Sequence, residues 1–199
     1  MLQGVCGHPT ERVQLALAHE RSHPSQPAPP FVVAVNLALP GPPFYHAVMY
    51  YAVDDITLID GTSTTHPEFS SLCKEMFLGT DDDFCDRSYK LIPQIVSGNF
   101  IVRRAVGATP ALLGTKLKQR YTRDPRFFEL TCDIGSSSVA AGVVRLSLAY
   151  AKTLVVDLGH VVQGDKGEHL PEKLFGAVRF SNLDFDNAER DMRFVKNYK

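Results

Sequence analysis

Three consecutive serines, Ser136, Ser137 and Ser138, follow Gly135 where an alternating stretch gives way to a long apolar run. Hydroxyls at a helix start accept from its free N–H groups, and the same N–H groups with those hydroxyls can receive a carboxylate or a phosphate. Capping and anion binding therefore compete for the same residues. Arg103 and Arg104 are the next candidates. In a strand over Phe100 to Val106 they alternate, so that one faces inward as a counter-charge while the other faces water. Phe44, Tyr45, Met49 and Tyr51 would line an apolar entrance, against the plainer reading of core residues at strand spacing. Asp157 and His160 stand three apart in the apolar run. On a helix they would meet, either as a base and its orienter or as a pair that satisfies itself at the helix end.

The motifs of other chemistries are missing or broken. Gly135-Ser136-Ser137-Ser138-Val139 lacks the second glycine of a nucleophile elbow, and Gly114-Thr115-Lys116 inverts the order a phosphate loop needs. Asp81-Asp82-Asp83 has neither the glycine nor the distal glutamate of a calcium loop. Cys6, Cys73, Cys85 and Cys132 show no C-x-x-C spacing and read as reduced thiols of a cytosol-like compartment. No metal, cofactor or secretory leader is expected. A formal net charge of −1 with scattered basic residues argues against nucleic acid as a partner.

These residues need elements to position them. With 199 residues, 44% of them hydrophobic, the chain can build one domain with a substantial core. Phe128, Leu130, Cys132 and Ile134 alternate with polar residues, so this stretch reads as a half-buried strand, paired across Asp124-Pro125 with Lys116 to Thr122. Val139 to Val162 is apolar on nearly every side and reads as one long helix that must be wrapped, its small residues Ala140, Ala141, Gly142 and Ala149 letting a sheet come close. The run has the length of a bilayer span, but Arg145, Lys152 and Asp157 lie inside it, each costing roughly 2.5–3.5 kcal/mol at a bilayer centre. A buried helix is preferred. Phe31 to Leu39, Tyr45 to Val53, Phe100 to Val106 and Leu174 to Asn182 read as further strands, with a short helix around Phe69 to Phe77. Thr10 to His19 reads as a helix, 21–30 as a proline-rich connector and 185–199 as a charged, solvated tail around a core of about 6–184. The expected fold is α+β, a curved, mostly antiparallel sheet wrapped around one long buried helix, hot-dog-like, with a START-like helix-grip as the alternative.

Several blocks read together carry a resemblance. Phe31 to Leu37, Pro40-Gly41-Pro42-Pro43-Phe44-Tyr45 and Val48-Met49-Tyr50-Tyr51 are followed in order by Lys90-Leu91-Ile92-Pro93, Thr109 to Gly114, Asp133 to Ala140, Leu154 to Leu158, Leu170-Pro171-Glu172 and Gly176 to Arg179. This succession resembles the enhanced disease resistance 2 C-terminal domain family over roughly Cys6 to Asp184. In plants such domains follow PH and START modules in proteins that restrain defence and cell death. Neither module lies in this sequence, and those regulatory roles are not carried over. The resemblance implies a lipid-associated, non-enzymatic domain.

The first functional expectation is a lipid-binding module that holds a fatty acid or another single-chain lipid, or a phospholipid, between helix and sheet. It would be cytoplasmic, with peripheral membrane contact, and a homodimer stays open. A hot-dog acyl-thioesterase or hydratase, with Asp133, Asp157 or His160 as acid and base, is the alternative from another class, and a regulatory interaction domain without ligand is the third.

Overall fold

In the computed structural model the described residues are 30–164 and 166–188. The expected helix at Thr10 to His19, nearly all of the 21–30 connector and most of the charged tail lie outside them. Two compact units are distinguished, Pro29–Leu183 on one side and Met1–Ala28 with Asp184–Lys199 on the other. Of the second unit, residues 184–188 are described and hold one 3-10 turn, Phe185–Asn187. All that follows concerns the first.

Alternating apolar residues make β1, Phe31–Leu39, and β2, Tyr45–Val53, an antiparallel hairpin with Val33 opposite Tyr51 and Val35 opposite Met49. Lys118–Asp124 and Phe127–Asp133 form the hairpin β5–β6 across a tight turn in which the Asp124 carboxylate accepts from the Arg126 N–H at 3.3 Å. β6 then runs parallel to β1, giving a four-stranded sheet in the order β2-β1-β6-β5. A second sheet, in the order β4-β3-β7-β8, is built from β3 (Tyr89–Ser97), β4 (Ala111–Leu112), β7 (Val155–Val162) and β8 (Leu174–Ser181). The helices are α1 (Thr57–Asp60), α2 (Pro67–Phe77), α3 (Asp82–Ser88), α4 (Phe100–Val106) and α5 (Ser138–Ala149).

Both sheets contribute one face to a single core. Val33, Val35, Leu37, Met49, Phe128, Leu130 and Cys132 come from the first sheet, and Tyr89, Leu158 and Val162 from the second. α2 completes it. Proline at its first turn pre-sets the helix, and Leu72, Cys73, Met76 and Phe77 fall on the stripe that faces the core.

Three expectations are corrected here. The apolar run 139–162 is not one long helix: it divides into α5, 12 residues long, and the strand β7. Val155, Val156, Val161 and Val162 are β-branched and pair well on a pleated surface, and the break comes at the 3-10 turn Ala151–Thr153. In place of a single curved sheet around a long helix, the α+β chain has two antiparallel-dominated sheets and several helices. Phe100 to Val106 is the helix α4, not a strand, because the Asn99 side chain accepts from the Ile101 N–H at 2.8 Å and Gly107 ends it at φ 67°.

α5 is not enclosed. Ala141 is buried, and Ala140 and Val144 pack on the main core, while Gly142 and Ala149 face outward. A Cβ added at Gly142 meets nothing within 4 Å. Gly142→Ala should therefore stabilise the protein by about 0.5–1 kcal/mol, since an exposed helical glycine loses only backbone freedom that alanine does not have. At Gly176 the same change would set a Cβ 2.5 Å from the Tyr51 ring. Thermal melts should rise for the first variant and fall for the second; equal shifts would refute this placement of α5.

Candidate functional site

His160 sits on β7, pointing into the core, fully buried. β3 runs antiparallel beside it and brings up Tyr89, also fully buried. The Tyr89 hydroxyl lies 2.8 Å from His160 Nδ1, with the two rings only 13° from parallel. From the other sheet, β2 supplies Tyr51, whose ring meets His160 edge-on at 5.5 Å between centroids. Phe175 closes the group, 6.0 Å from Tyr51 and 5.8 Å from His160.

Burial sets the protonation of all three. It pushes His160 down to about 4, so the imidazole is neutral near neutral pH, and it pushes the Tyr51 phenol up to about 12 and that of Tyr89 well above its ordinary value. When Tyr89 donates to Nδ1, His160 Nε2 carries the proton; when Nδ1–H donates to the phenol oxygen, Nε2 presents a lone pair. In either tautomer Nε2 is buried without a hydrogen-bond partner, and so is the Tyr51 hydroxyl. Leaving one such group unmatched costs about 1–3 kcal/mol. Here two such atoms lie on facing sheets, among aromatic rings.

The residues expected from the sequence are scattered. Met49 is buried in the core and Tyr51 belongs to the cluster just described, whereas Phe44 is 66% exposed and Tyr45 stands at the start of β2. Arg103 and Arg104 do not alternate across a strand; both are exposed on α4. Ser137 caps α5, its hydroxyl accepting from the Ala140 N–H at 3.4 Å. Ser136 ties the turn to β5 by accepting from the Lys118 N–H at 2.9 Å and donating to the Asp133 carbonyl at 2.6 Å, and Ser138 is exposed in the first turn. Asp157 and His160 do not meet. Three residues apart on a strand they face opposite ways, and Asp157 is held by the Arg179 guanidinium at 2.6 and 2.7 Å, which keeps its carboxyl below the usual range. Asp133 is exposed at the end of β6.

Sequence reasoning missed Tyr89 and a second buried cluster on the opposite face of the first sheet. There Asn36 donates its amide to Glu129 at 3.0 Å, Thr131 donates to the same oxygen at 3.1 Å, and His46 Nδ1 lies 2.9 Å from the Asn36 carbonyl oxygen. An Asn and a Glu inside alternating apolar runs were the available signal. Cys73, Cys85 and Cys132 are unpaired thiols buried in the core, pushed up to about 12, 11 and 12, and are poor nucleophiles. Among the described residues no group of His, Cys, Asp and Glu could hold a metal, and no helix is long and apolar enough to cross a membrane.

The profile of the family described as Protein ENHANCED DISEASE RESISTANCE 2, C-terminal, matches residues 1–184. The chain belongs to this family. Similar to it is a protein described as ENHANCED DISEASE RESISTANCE 2-like from Arabidopsis thaliana, 37% identical over 158 residues. The aligned part is 79% of this chain but 20% of that relative, so the chain spans about one fifth of the relative's length. No solved structure matches it. Within this family domain, Tyr51, Tyr89 and His160 are the buried polar groups that the fold brings together from both sheets.

Their protonation can be tested directly. The unfolded chain protonates His160 near 6.5, while the folded one resists until about 4, so stability is full at neutral pH and is lost as pH falls through this window. From about pH 7 to about pH 5 this group alone should remove roughly 2 kcal/mol. In urea titrations at both pH values His160→Gln should lose that share of the pH dependence; a variant as pH-sensitive as the wild type would show that His160 is not buried in its neutral form.

Proposed function

We propose that the domain is a lipid-binding module that holds a fatty acid or similar single-chain lipid against the core shared by the two sheets, with its polar end at Tyr51 and His160. The observation that carries this reading is the pair of buried, unpartnered polar atoms, Tyr51 Oη and His160 Nε2. A polar group set among aromatic and aliphatic side chains is the usual make-up of a site for a mostly apolar ligand. Tyr51 is the least buried of the three polar residues.

The chemistry of the pair narrows the ligand. Both groups are neutral, and no cation is hydrogen-bonded to them, so an ionised carboxylate would lose its hydration without a counter-charge. An alcohol, an ester carbonyl or a protonated carboxyl forms the same hydrogen bonds without that cost. A fatty acid would enter in its neutral form and bind more tightly at mildly acidic than at alkaline pH. An acyl-transfer enzyme has less support, because Asp157 is turned away from His160 and bound to Arg179.

Organic extraction of the purified chain, followed by mass spectrometry, should yield a single-chain lipid near stoichiometric amount. In titrations with a fluorescent fatty acid, Tyr51→Phe should weaken binding about three- to tenfold, the worth of one neutral hydrogen bond. The empty variant should be as stable as the wild type or more so, because a buried hydroxyl without a partner has been removed. No co-purifying lipid together with no saturable fatty-acid binding would overturn the reading.

A further inference from the structure

α4 is attached to the protein by little of its surface. Val102, fully buried, and Val106 pack against Ile95 and Leu154, with Leu146 and Tyr150 completing this small cluster. The rest of the helix faces out. Phe100 is 75% exposed and Ile101 46% exposed, among the most exposed large apolar side chains of the described residues. Arg103 and Arg104, one turn further on, are exposed as well, and neither is held in an ion pair or hydrogen bond by its side chain among the described residues.

The sequence that carries the helix is one-sided in charge. From Asp86 to Asp124 the sequence has no acidic residue in between, and the same is true from Asp133 to Asp157, the segment that supplies α5. α4 and α5, which pack on one another through Val102, Val106 and Leu146, thus both come from acid-free stretches of a chain whose net charge is −1. Arg145 adds an exposed positive charge on α5.

We propose that α4 is a docking element for an anionic lipid bilayer, with Phe100 and Ile101 entering the boundary between headgroups and acyl chains while Arg103 and Arg104 meet the phosphates. Exposed apolar tips beside unpaired arginines suit that surface, where apolar burial and attraction to anionic lipid act together. A protein partner is less well matched. With Phe100 75% and Ile101 46% exposed, the two would bury roughly 250 Å² if both were covered in full, against about 800 Å² per partner in a stable protein interface. This surface is independent of the Tyr51 and His160 pair and does not rest on lipid binding in the core.

The test uses the full 199-residue chain with vesicles of phosphatidylcholine and of a phosphatidylcholine–phosphatidylserine mixture, read by co-sedimentation. The wild type should partition onto the mixed vesicles and release in high salt, which screens the arginines. Arg103→Gln with Arg104→Gln should weaken that partitioning about 25-fold. Phe100→Ser with Ile101→Ser should abolish it, and both double variants should melt at the wild-type temperature because none of the four side chains is buried. Failure of the wild type to bind the mixed vesicles, or unchanged binding of the arginine variant, overturns the proposal. So does self-association of the wild type, seen by light scattering, that the Phe100 and Ile101 variant abolishes without changing vesicle binding.

Discussion

Phe77 touches both sheets at once. Its ring lies 5.1 Å from Phe128 of β6 and 5.4 Å from Phe175 of β8, so a single side chain from α2 spans the contact between the two halves of the core. Everything else in the core is arranged around this shared wedge. Tyr51 and Tyr89 reach the same Phe175 from opposite sheets, and His160 is enclosed because those rings leave water no route to it. An aromatic core of this kind gains from edge-to-face contacts, which tolerate polar edges far better than aliphatic packing does. It is this tolerance that lets a histidine and two phenols sit at the centre of the domain.

A second set of interactions holds β5 to α3 at the margin of that core. Arg123 lies over the rings of Tyr121 and Phe128, 5.3 and 5.6 Å from their centroids, and reaches Asp82 at 2.8 Å, while Tyr121 donates to Asp86 at 2.7 Å. A guanidinium sandwiched in this way serves as packing as well as charge. The two polar clusters differ in one respect. At Arg123 the charge is matched by the Asp82 carboxylate at 2.8 Å although its Nε is buried without a partner, whereas at Tyr51 and His160 the atoms left without partners belong to neutral groups.

Local patterning was enough to read β1, β2, the β5–β6 hairpin, β8 and α2, since each carries its own alternation or helical stripe and its own stop signal. It failed where propensity and periodicity pull apart. Phe100-Ile101-Val102 is β-prone, and the Asn99 cap that makes it helical is a single hydrogen bond. The segment 139–162 is uniformly apolar, so nothing in its period shows where helix becomes strand, and β3 carries a proline in its middle that argues against a strand. The sequence singled out Tyr51 as a candidate lining residue and His160 as a candidate acid or base. Their meeting was not legible there, because it depends on β7 being a strand and on two sheets facing each other, facts that no window of adjacent residues contains.

The parallel contact between β1 and β6 has a temporal side. Val32 lies opposite Phe127, with most of the domain's chain between them, and β6 fills the place between β1 and β5. As the chain leaves the ribosome, the β1–β2 hairpin is complete early but must wait with one long edge unpaired until β6 has been synthesised. Such a late, non-local pairing slows folding and leaves an open edge that neighbouring chains can add to. The apolar β1 is thus the segment most in need of protection during synthesis, and a nascent chain halted before β6 would be a natural client for a chaperone.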